Sequence, residues 1–332
     1  MTRFGIRLLD DLGSPRELVE LAAVADQHGI DSVWYPHDTL RPHSWALATA
    51  TAAATERIQI ASLGTNPWST HPAEIVTFLT TLDDLSGGRA ALGLGIHTTE
   101  HLAWVGVDVG DYVQGTREAF EIVTRLLAGE GPAYEGEVFR ITDEGRLRYT
   151  PTRADIPIYI SPFGEAFLEL SGEIGAGSLP MVTPPESAAL MVEPIIRGAK
   201  RVGRDPSSVD VAGLAWISIS EDGTAARERM ADIVAYFGTY LEAPALATVG
   251  VSPEDYLPAR ERIMIGDREG ARALVSEDML RLGIVGTPAE CRERIQTLVE
   301  AGVTHVLLGG PLGPDPREAI RLIGQEIIPY FR

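Results

Sequence analysis

The sequence predicts an α/β chain folded as a (β/α)8, or TIM, barrel, and three observations carry that prediction. Short apolar, β-branched runs alternate with longer segments of helical period, eight times within 332 residues. An open doubly wound sheet is the rival, but it usually carries a glycine fingerprint in its first strand–helix turn. Leu9 to Pro15 has no G-x-G-x-x-G. Two stretches, at about 130–152 and 243–286, break the rhythm and read as insertions in a single barrel domain spanning 1–332.

The elements follow in order. Residues 4–9 read as the first strand. Ser14-Pro15-Arg16-Glu17 then sets a capping box with proline at the first helical position. Leu18, Leu21, Ala22 and Ala25 form the apolar stripe of that helix, and His28-Gly29 ends it. Strands at 31–35, 58–63 and 90–95 alternate with helices at 45–55, 72–85 and 116–128. Residues 134–139 and 145–149 look like a polar hairpin. Regular order resumes with a strand at 156–160, a helix from about 165, and a short strand ending near Met181. A helix over 185–202, a strand over 209–219 and a helix over 222–241 lead into the second irregular stretch. Thr287-Pro288-Ala289-Glu290 caps a further helix, and a strand at 305–308 with a terminal helix closes the chain.

Composition excludes several classes. The chain carries 47 acidic against 28 basic residues, a net charge of −19. Nucleic acid and anionic membrane surfaces need clustered cations, so neither is an expected partner. Lys200 is the only lysine, at what reads as a solvated helix end, so a P-loop or a Schiff base is not expected. Cys291 alone rules out an internal disulfide and a multi-cysteine zinc site. The N-terminus lacks a signal-peptide pattern and no uncharged run reaches ~18 apolar residues, so the cytoplasm is the expected compartment.

In a barrel the loops after the strands build the active face. Six of the seven histidines, at 28, 37, 43, 71, 97 and 101, precede residue 102, and five lie in or just after those loops. Three readings fit them: ligands for metal-assisted hydrolysis, helix caps and loop anchors, or an aromatic- and histidine-lined pocket for a planar redox cofactor. Ser161-Pro162-Phe163-Gly164-Glu165 joins the fifth strand to its helix through a glycine. The helix N-terminus there offers backbone N–H groups and a hydroxyl to a phosphate, with no lysine needed.

The run from Ala54-Thr55-Glu56-Arg57-Ile58 through Gly64-Thr65-Asn66-Pro67 and His71-Pro72-Ala73 to Asp83-Asp84-Leu85-Ser86-Gly87-Gly88-Arg89 resembles the luciferase-like flavin and deazaflavin oxidoreductases. Arg117-Glu118-Ala119, Tyr134-Glu135-Gly136-Glu137 with Phe139, and Gly286-Thr287-Pro288-Ala289-Glu290 fit the same family. The C-terminal Gly310-Pro311-Leu312-Gly313 and Ala319-Ile320-Arg321-Leu322 resemble its methylenetetrahydromethanopterin reductase branch.

The resemblance implies a homodimeric barrel that uses coenzyme F420, an 8-hydroxy-5-deazaflavin, on a small-molecule substrate. FMN is the alternative cofactor, in a monooxygenase, and a non-catalytic deazaflavin-binding barrel is a third reading. The cofactor would lie against Asp38, Trp45, Gly64, Thr65, Asn66, Gly95, Thr98, Ser161, Pro162, Phe163, Gly164, Glu165 and Met181. A non-prolyl cis peptide at Gly64-Thr65 would back the ring. Arg7 stands where the reductases have glutamate, Thr98 follows the fourth strand where an acid is common, and the usual Asp-His is reversed to His37-Asp38. These departures point away from methanopterin as substrate. His37 or His97 would handle the proton, because imidazole titrates near neutrality. Asp38 would orient a neighbouring histidine, and Trp45 would wall the pocket. Arg7 would hold a substrate anion or pair with Asp10 or Asp11.

Overall fold

The computed structural model describes residues 1–332 apart from 97, 98, 131, 132, 181 and 183, so the expectations for His97, Thr98 and Met181 lie outside the described residues. In chain order the elements are β1 (Arg3–Arg7), α1 (Pro15–Gln27), β2 (Ser32–Pro36), α2 (Ser44–Ala54), β3 (Gln59–Thr65), α3 (Pro72–Ser86), β4 (Ala90–Gly95), α4 (Thr99–Ala103) and α5 (Tyr112–Leu127). A two-stranded hairpin of β5 (Tyr134–Glu135) and β6 (Arg140–Ile141) precedes β7 (Ile158–Ser161), α6 (Glu165–Ile174), β8 (Gly177–Ser178), α7 (Ala188–Arg201), β9 (Asp210–Ile219) and α8 (Thr224–Phe237). Short helices α9 (Ala243–Ala247), α10 (Leu257–Met264), α11 (Arg268–Arg272) and α12 (Glu277–Leu280) follow. Then come β10 (Ile284–Gly286), α13 (Pro288–Glu300), β11 (His305–Leu312), α14 (Pro316–Leu322) and α15 (Ile328–Phe331).

The chain divides into two compact units, one made of Met1–Asp31, Met181–Glu193 and Val211–Arg332, the other of Ser32–Pro180 and Pro194–Asp210. In the first, parallel strands run in the order β10-β9-β11-β1. Ser14 and Glu17 close the capping box that starts α1, and Leu18, Leu21, Ala22 and Ala25 are buried beneath it. The irregular stretch is a set of short helices packed through alanines. Ala235, Ala259 and Ala271 form a buried cluster with Ile263 and Val275 against it. Asp232, buried on α8, pairs with Arg272 on α11 at 2.8 Å.

In the second unit, parallel strands run β2-β3-β4-β7-β8. Every residue of β2 and β4 is buried, as expected for parallel strands covered on both faces. Gly87 takes a left-handed φ of 69° to stop α3, and Gly88 continues the turn at φ 87°. That turn delivers Arg89 to the far end of α2, where its guanidinium donates to the carbonyls of Ala52, Thr55 and Ile58 and to the Thr55 hydroxyl. Asp111 starts α5 four residues earlier than periodicity indicates, by accepting from the N–H groups of Val113 and Gln114.

The polar hairpin closes differently from the sequence expectation. Tyr134 pairs with Ile141 and Glu135 with Arg140, while 145–149 stays outside any strand. The reason is Glu118 on α5. Its buried carboxylate accepts from the backbone N–H groups of Glu137, Val138 and Phe139, which fixes the turn there.

Candidate active site

Parallel strands end on one edge, so the C-terminal ends of β2, β3, β4 and β7 bring His37, Gly64–Asn66, Gly95 and Ser161 to the same edge of the second unit. The backbone N–H of His37 donates to Leu63 O at 2.8 Å and extends the β2–β3 pairing by one residue. Its Nδ1 lies 2.9 Å from Ser44 Oγ, which lies 2.9 Å from Ser62 Oγ, itself 2.7 Å from Thr65 Oγ1. All three hydroxyl residues are buried. Sequence reading missed Ser44 and Ser62. The only signal was a serine inside the mostly apolar strand at 58–63 and another at the start of α2.

Asp38 turns to another histidine. Its Oδ1 accepts from His101 Nδ1 at 2.8 Å, and its Oδ2 lies 3.4 Å from Arg41 Nε. Trp45 stacks on Phe78 with ring centres 4.2 Å apart and planes 4° from parallel. The rings of His37 and His43 stand 5.5 and 5.7 Å from that indole. His43 and His71 also serve as helix caps, accepting from Trp45 N and Ala73 N at the starts of α2 and α3. Burial holds the His71 imidazole below its ordinary pKa, partly offset by Glu74, which suits a ring whose lone pair caps a helix.

One expectation fails at β3. The peptide at Gly64-Thr65 is not cis; among the described residues the only cis peptide is Gly310-Pro311. Gly64 instead takes φ 67°, and the β3–β4 register shifts between Ser62 and Thr65. A left-handed glycine turns the chain with a trans bond, so the costlier geometry is unnecessary. Asn66 is buried, and its carboxamide oxygen accepts from the N–H and hydroxyl of Ser69.

At the end of β7, Ser161 is 4% exposed and its Oγ has no hydrogen-bond partner among the described residues. It lies where β4 has only glycine. A β-carbon at Gly93 would stand 3.2 Å from Ser161 Oγ, and one at Gly95, whose φ is 150°, would stand 2.6 Å from Ser161 O. Three residues on, Gly164 begins α6 at φ 76° without any side-chain cap, and a β-carbon there would meet nothing within 4 Å. Pro162 is buried, and Phe163 stacks on Tyr112 with centres 4.6 Å apart. The exposed Glu165 carboxylate pairs with Arg197, so only its backbone N–H is left for the mouth of the helix.

Arg7 belongs to the other unit, where its guanidinium lies beside Asp11 and about the place a β-carbon on Gly309 would occupy, 3.2 Å from Nε. Burial pushes the Asp11 carboxyl up, and the charges of Arg7 and Arg229 bring it part of the way back. Cys291 is buried on α13 and its thiol is pushed up to about 12, chiefly by burial, which leaves it inert. Among the described residues, no three His, Cys, Asp or Glu side chains gather as a metal site, and no helix is long and apolar enough to cross a membrane.

The model of a family described as luciferase-like monooxygenase matches residues 1–305. The chain belongs to this luciferase-like family. It is 31% identical to a 5,10-methylenetetrahydromethanopterin reductase of Methanolobus tindarius, over 94% of this chain and 95% of that one. It is 28% identical to an F420-dependent glucose-6-phosphate dehydrogenase of Rhodococcus erythropolis, over 99% and 98%. The solved coenzyme F420 dependent tetrahydromethanopterin reductase from Methanopyrus kandleri matches with a TM-score of 0.93 at 31% identity, over 100% of this chain and 99% of that one. The luciferase-like fold is therefore a (β/α)8 barrel. Two residues of the stretches that carried the resemblance serve the scaffold: Arg89 ties down the end of α2, and Glu118 holds the hairpin turn.

Proposed function

We propose that this chain is a coenzyme F420-dependent oxidoreductase, moving a hydride between the deazaflavin and a small organic substrate that carries an imine, enone or alcohol/carbonyl group. The observation that carries the reading is the Ser161 hydroxyl, buried without a partner at the foot of the uncapped, open N-terminus of α6. A buried hydroxyl lacking a protein partner suits a ligand that supplies one, and the helix end favours an anion. A phosphodiester fits that pair without a lysine. Named relatives with F420-dependent activities support the same cofactor.

When bound, the deazaflavin supplies the carbon that accepts or donates the hydride. The chain's own residues then bind and orient. Ser161 and the first N–H groups of α6 would hold the phosphodiester, and Trp45, braced by Phe78, would limit the substrate side. His37, at this edge, would meet the substrate's polar atom; His97, the other candidate in the sequence, lies outside the described residues. Asp38 keeps His101, and with it α4, against the β2–α2 loop. Arg7 is assigned to Asp11, whose ionised form it stabilises.

Titration with coenzyme F420, followed by deazaflavin fluorescence, tests the reading. Saturable binding is expected for the parent chain. Trp45→Ala and Gly164→Trp should each weaken binding about ten-fold or more, and turnover should follow with imines, enones or secondary alcohols. Unchanged affinity in both variants, or preference for FMN, sinks the proposal.

A further inference from the structure

A run of aromatic rings climbs from a strand to the surface of the first unit. Trp216 on β9 is 7% exposed, and its ring centre stands 5.7 Å from that of Phe237, the last residue of α8, which is 36% exposed. Phe237 stands 4.6 Å from Tyr236 and 6.3 Å from Tyr240, and Tyr240 is 61% exposed. The rings therefore open step by step from the sheet to solvent. Trp216 lies near the C-terminal end of β9, and parallel strands bind their ligands beyond that end.

The outer end of the run carries a cation. Arg260 of α10 places its guanidinium 4.5 Å from the centre of the Tyr240 ring and 5.9 Å from that of Tyr236. It donates to Thr239 Oγ1 at 2.8 Å and to the Tyr240 hydroxyl at 2.6 Å. Among the described residues it pairs with no carboxylate. Arg272 and Arg321 of the same unit, by contrast, each face two acids. Hydroxyls and rings fix the direction of the Arg260 guanidinium without neutralising it. A guanidinium stays charged at any working pH, and its planar fork matches a carboxylate or phosphate.

We propose that Arg260, Tyr240 and Phe237 form a binding site for a planar aromatic ligand that bears a carboxylate or phosphate. The rings offer a stacking surface, and the guanidinium takes the anion through charge-assisted hydrogen bonds. An aliphatic anion forgoes the stacking, and a neutral arene forgoes the charge. The binding site stands apart from the function proposed above, but its use in turnover rests on that function. There it selects aromatic substrates with an acidic group, and Arg260 sets KM for them and leaves kcat alone.

Nitrogen-15 NMR of arginine-labelled protein, joined to ligand-observed NMR, follows titrations with benzoate, phenyl phosphate, benzamide and cyclohexanecarboxylate. Benzoate and phenyl phosphate should shift the Arg260 Nε–H signal saturably, with Kd about 1 mM or below. Benzamide and cyclohexanecarboxylate should bind about five-fold more weakly or worse. Arg260→Gln should assign that signal and lower benzoate affinity about ten-fold, with deazaflavin affinity unchanged. Phe237→Leu should bring benzoate down to the level of cyclohexanecarboxylate. In turnover with reduced deazaflavin, Arg260→Gln should raise KM for 4-formylbenzoate about ten-fold and leave that for benzaldehyde unchanged.

Equal binding of all four ligands, or of benzoate to the parent and Arg260→Gln, overturns the inference. So does an Arg260 signal that moves with protein concentration alone, which would make this face a contact between copies. A matching loss of deazaflavin affinity in Arg260→Gln would hand the residue to the cofactor and overturn it too. If the variants fail to fold, the parent chain's ranking of the four ligands decides. Saturable benzoate binding by a chain that binds no deazaflavin sinks the functional proposal alone. Deazaflavin-dependent turnover with an unmoved Arg260 signal sinks this inference alone.

Discussion

His101 donates from Nδ1 to Asp38 Oδ1 at 2.8 Å across 63 residues of sequence, and both side chains are partly shielded from solvent. The contact fastens α4 to the loop that carries His37. Ion pairs at such half-buried positions contribute modestly, so the coupling between the two should be about 0.5–1 kcal/mol. A double-mutant cycle with Asp38→Ala and His101→Ala, read by urea unfolding, measures it. Strict additivity would show that the pair is incidental.

Glu118 should matter far more. Burial alone would raise its carboxyl, but the N–H groups of Phe139, Val138 and Glu137 and the Gln114 amide together hold it below the usual carboxylate value. A lowered folded pKa means stability that is present above the unfolded value of ~4.3 and lost as pH falls through the folded value. Glu118→Gln should cost roughly 2–4 kcal/mol at neutral pH and flatten that acid limb. Gly136→Ala should do comparable damage, since its β-carbon would stand 2.2 Å from Glu118 Oε2. Urea melts at several pH values test both, and a Glu118→Gln curve parallel to the parent's refutes the assignment.

Ser161→Ala separates ligand binding from stability. The hydroxyl has no protein partner, so its loss should leave the melting temperature unchanged or slightly raised. Deazaflavin affinity should fall about ten-fold, the worth of one hydrogen bond to a charged group. A destabilised variant with full affinity would mean that the hydroxyl serves the fold.

Arg7→Glu would put a second carboxylate near Asp11 in place of a guanidinium. The Asp11 carboxyl, already raised by burial, would rise further without the neighbouring guanidinium. A raised folded pKa costs stability as pH climbs from the unfolded value of ~3.9 through the folded one. The variant should therefore lose most stability near neutrality and recover in mild acid. Thermal unfolding across that range decides, and a loss independent of pH would point to packing.

The sequence made the barrel legible because its signals are local. Capping boxes at Ser14 and Thr287, the His28-Gly29 stop after α1 and the apolar runs of β2 to β4 each depend on residues near in the chain. The same locality led the reading astray where distant groups act. Glu118 reaches from α5 to fix the hairpin turn, so 145–149 forms no strand. Gly64 turns left-handed on a trans bond where family likeness had implied a cis one.

By itself, then, the sequence determined the strand–helix order, the family likeness and the edge on which His37, Asp38, Trp45 and Ser161 lie. Tertiary structure alone decided their partners. Asp38 meets His101, the Ser161 hydroxyl meets no hydrogen-bond partner among the described residues, and His37 meets a file of hydroxyls that includes Ser44, Ser62 and Thr65. The physical reason is that a buried polar atom's chemistry depends on which donors and acceptors stand within 3 Å of it. Three-dimensional packing brings those neighbours together from strands and helices far apart in the chain.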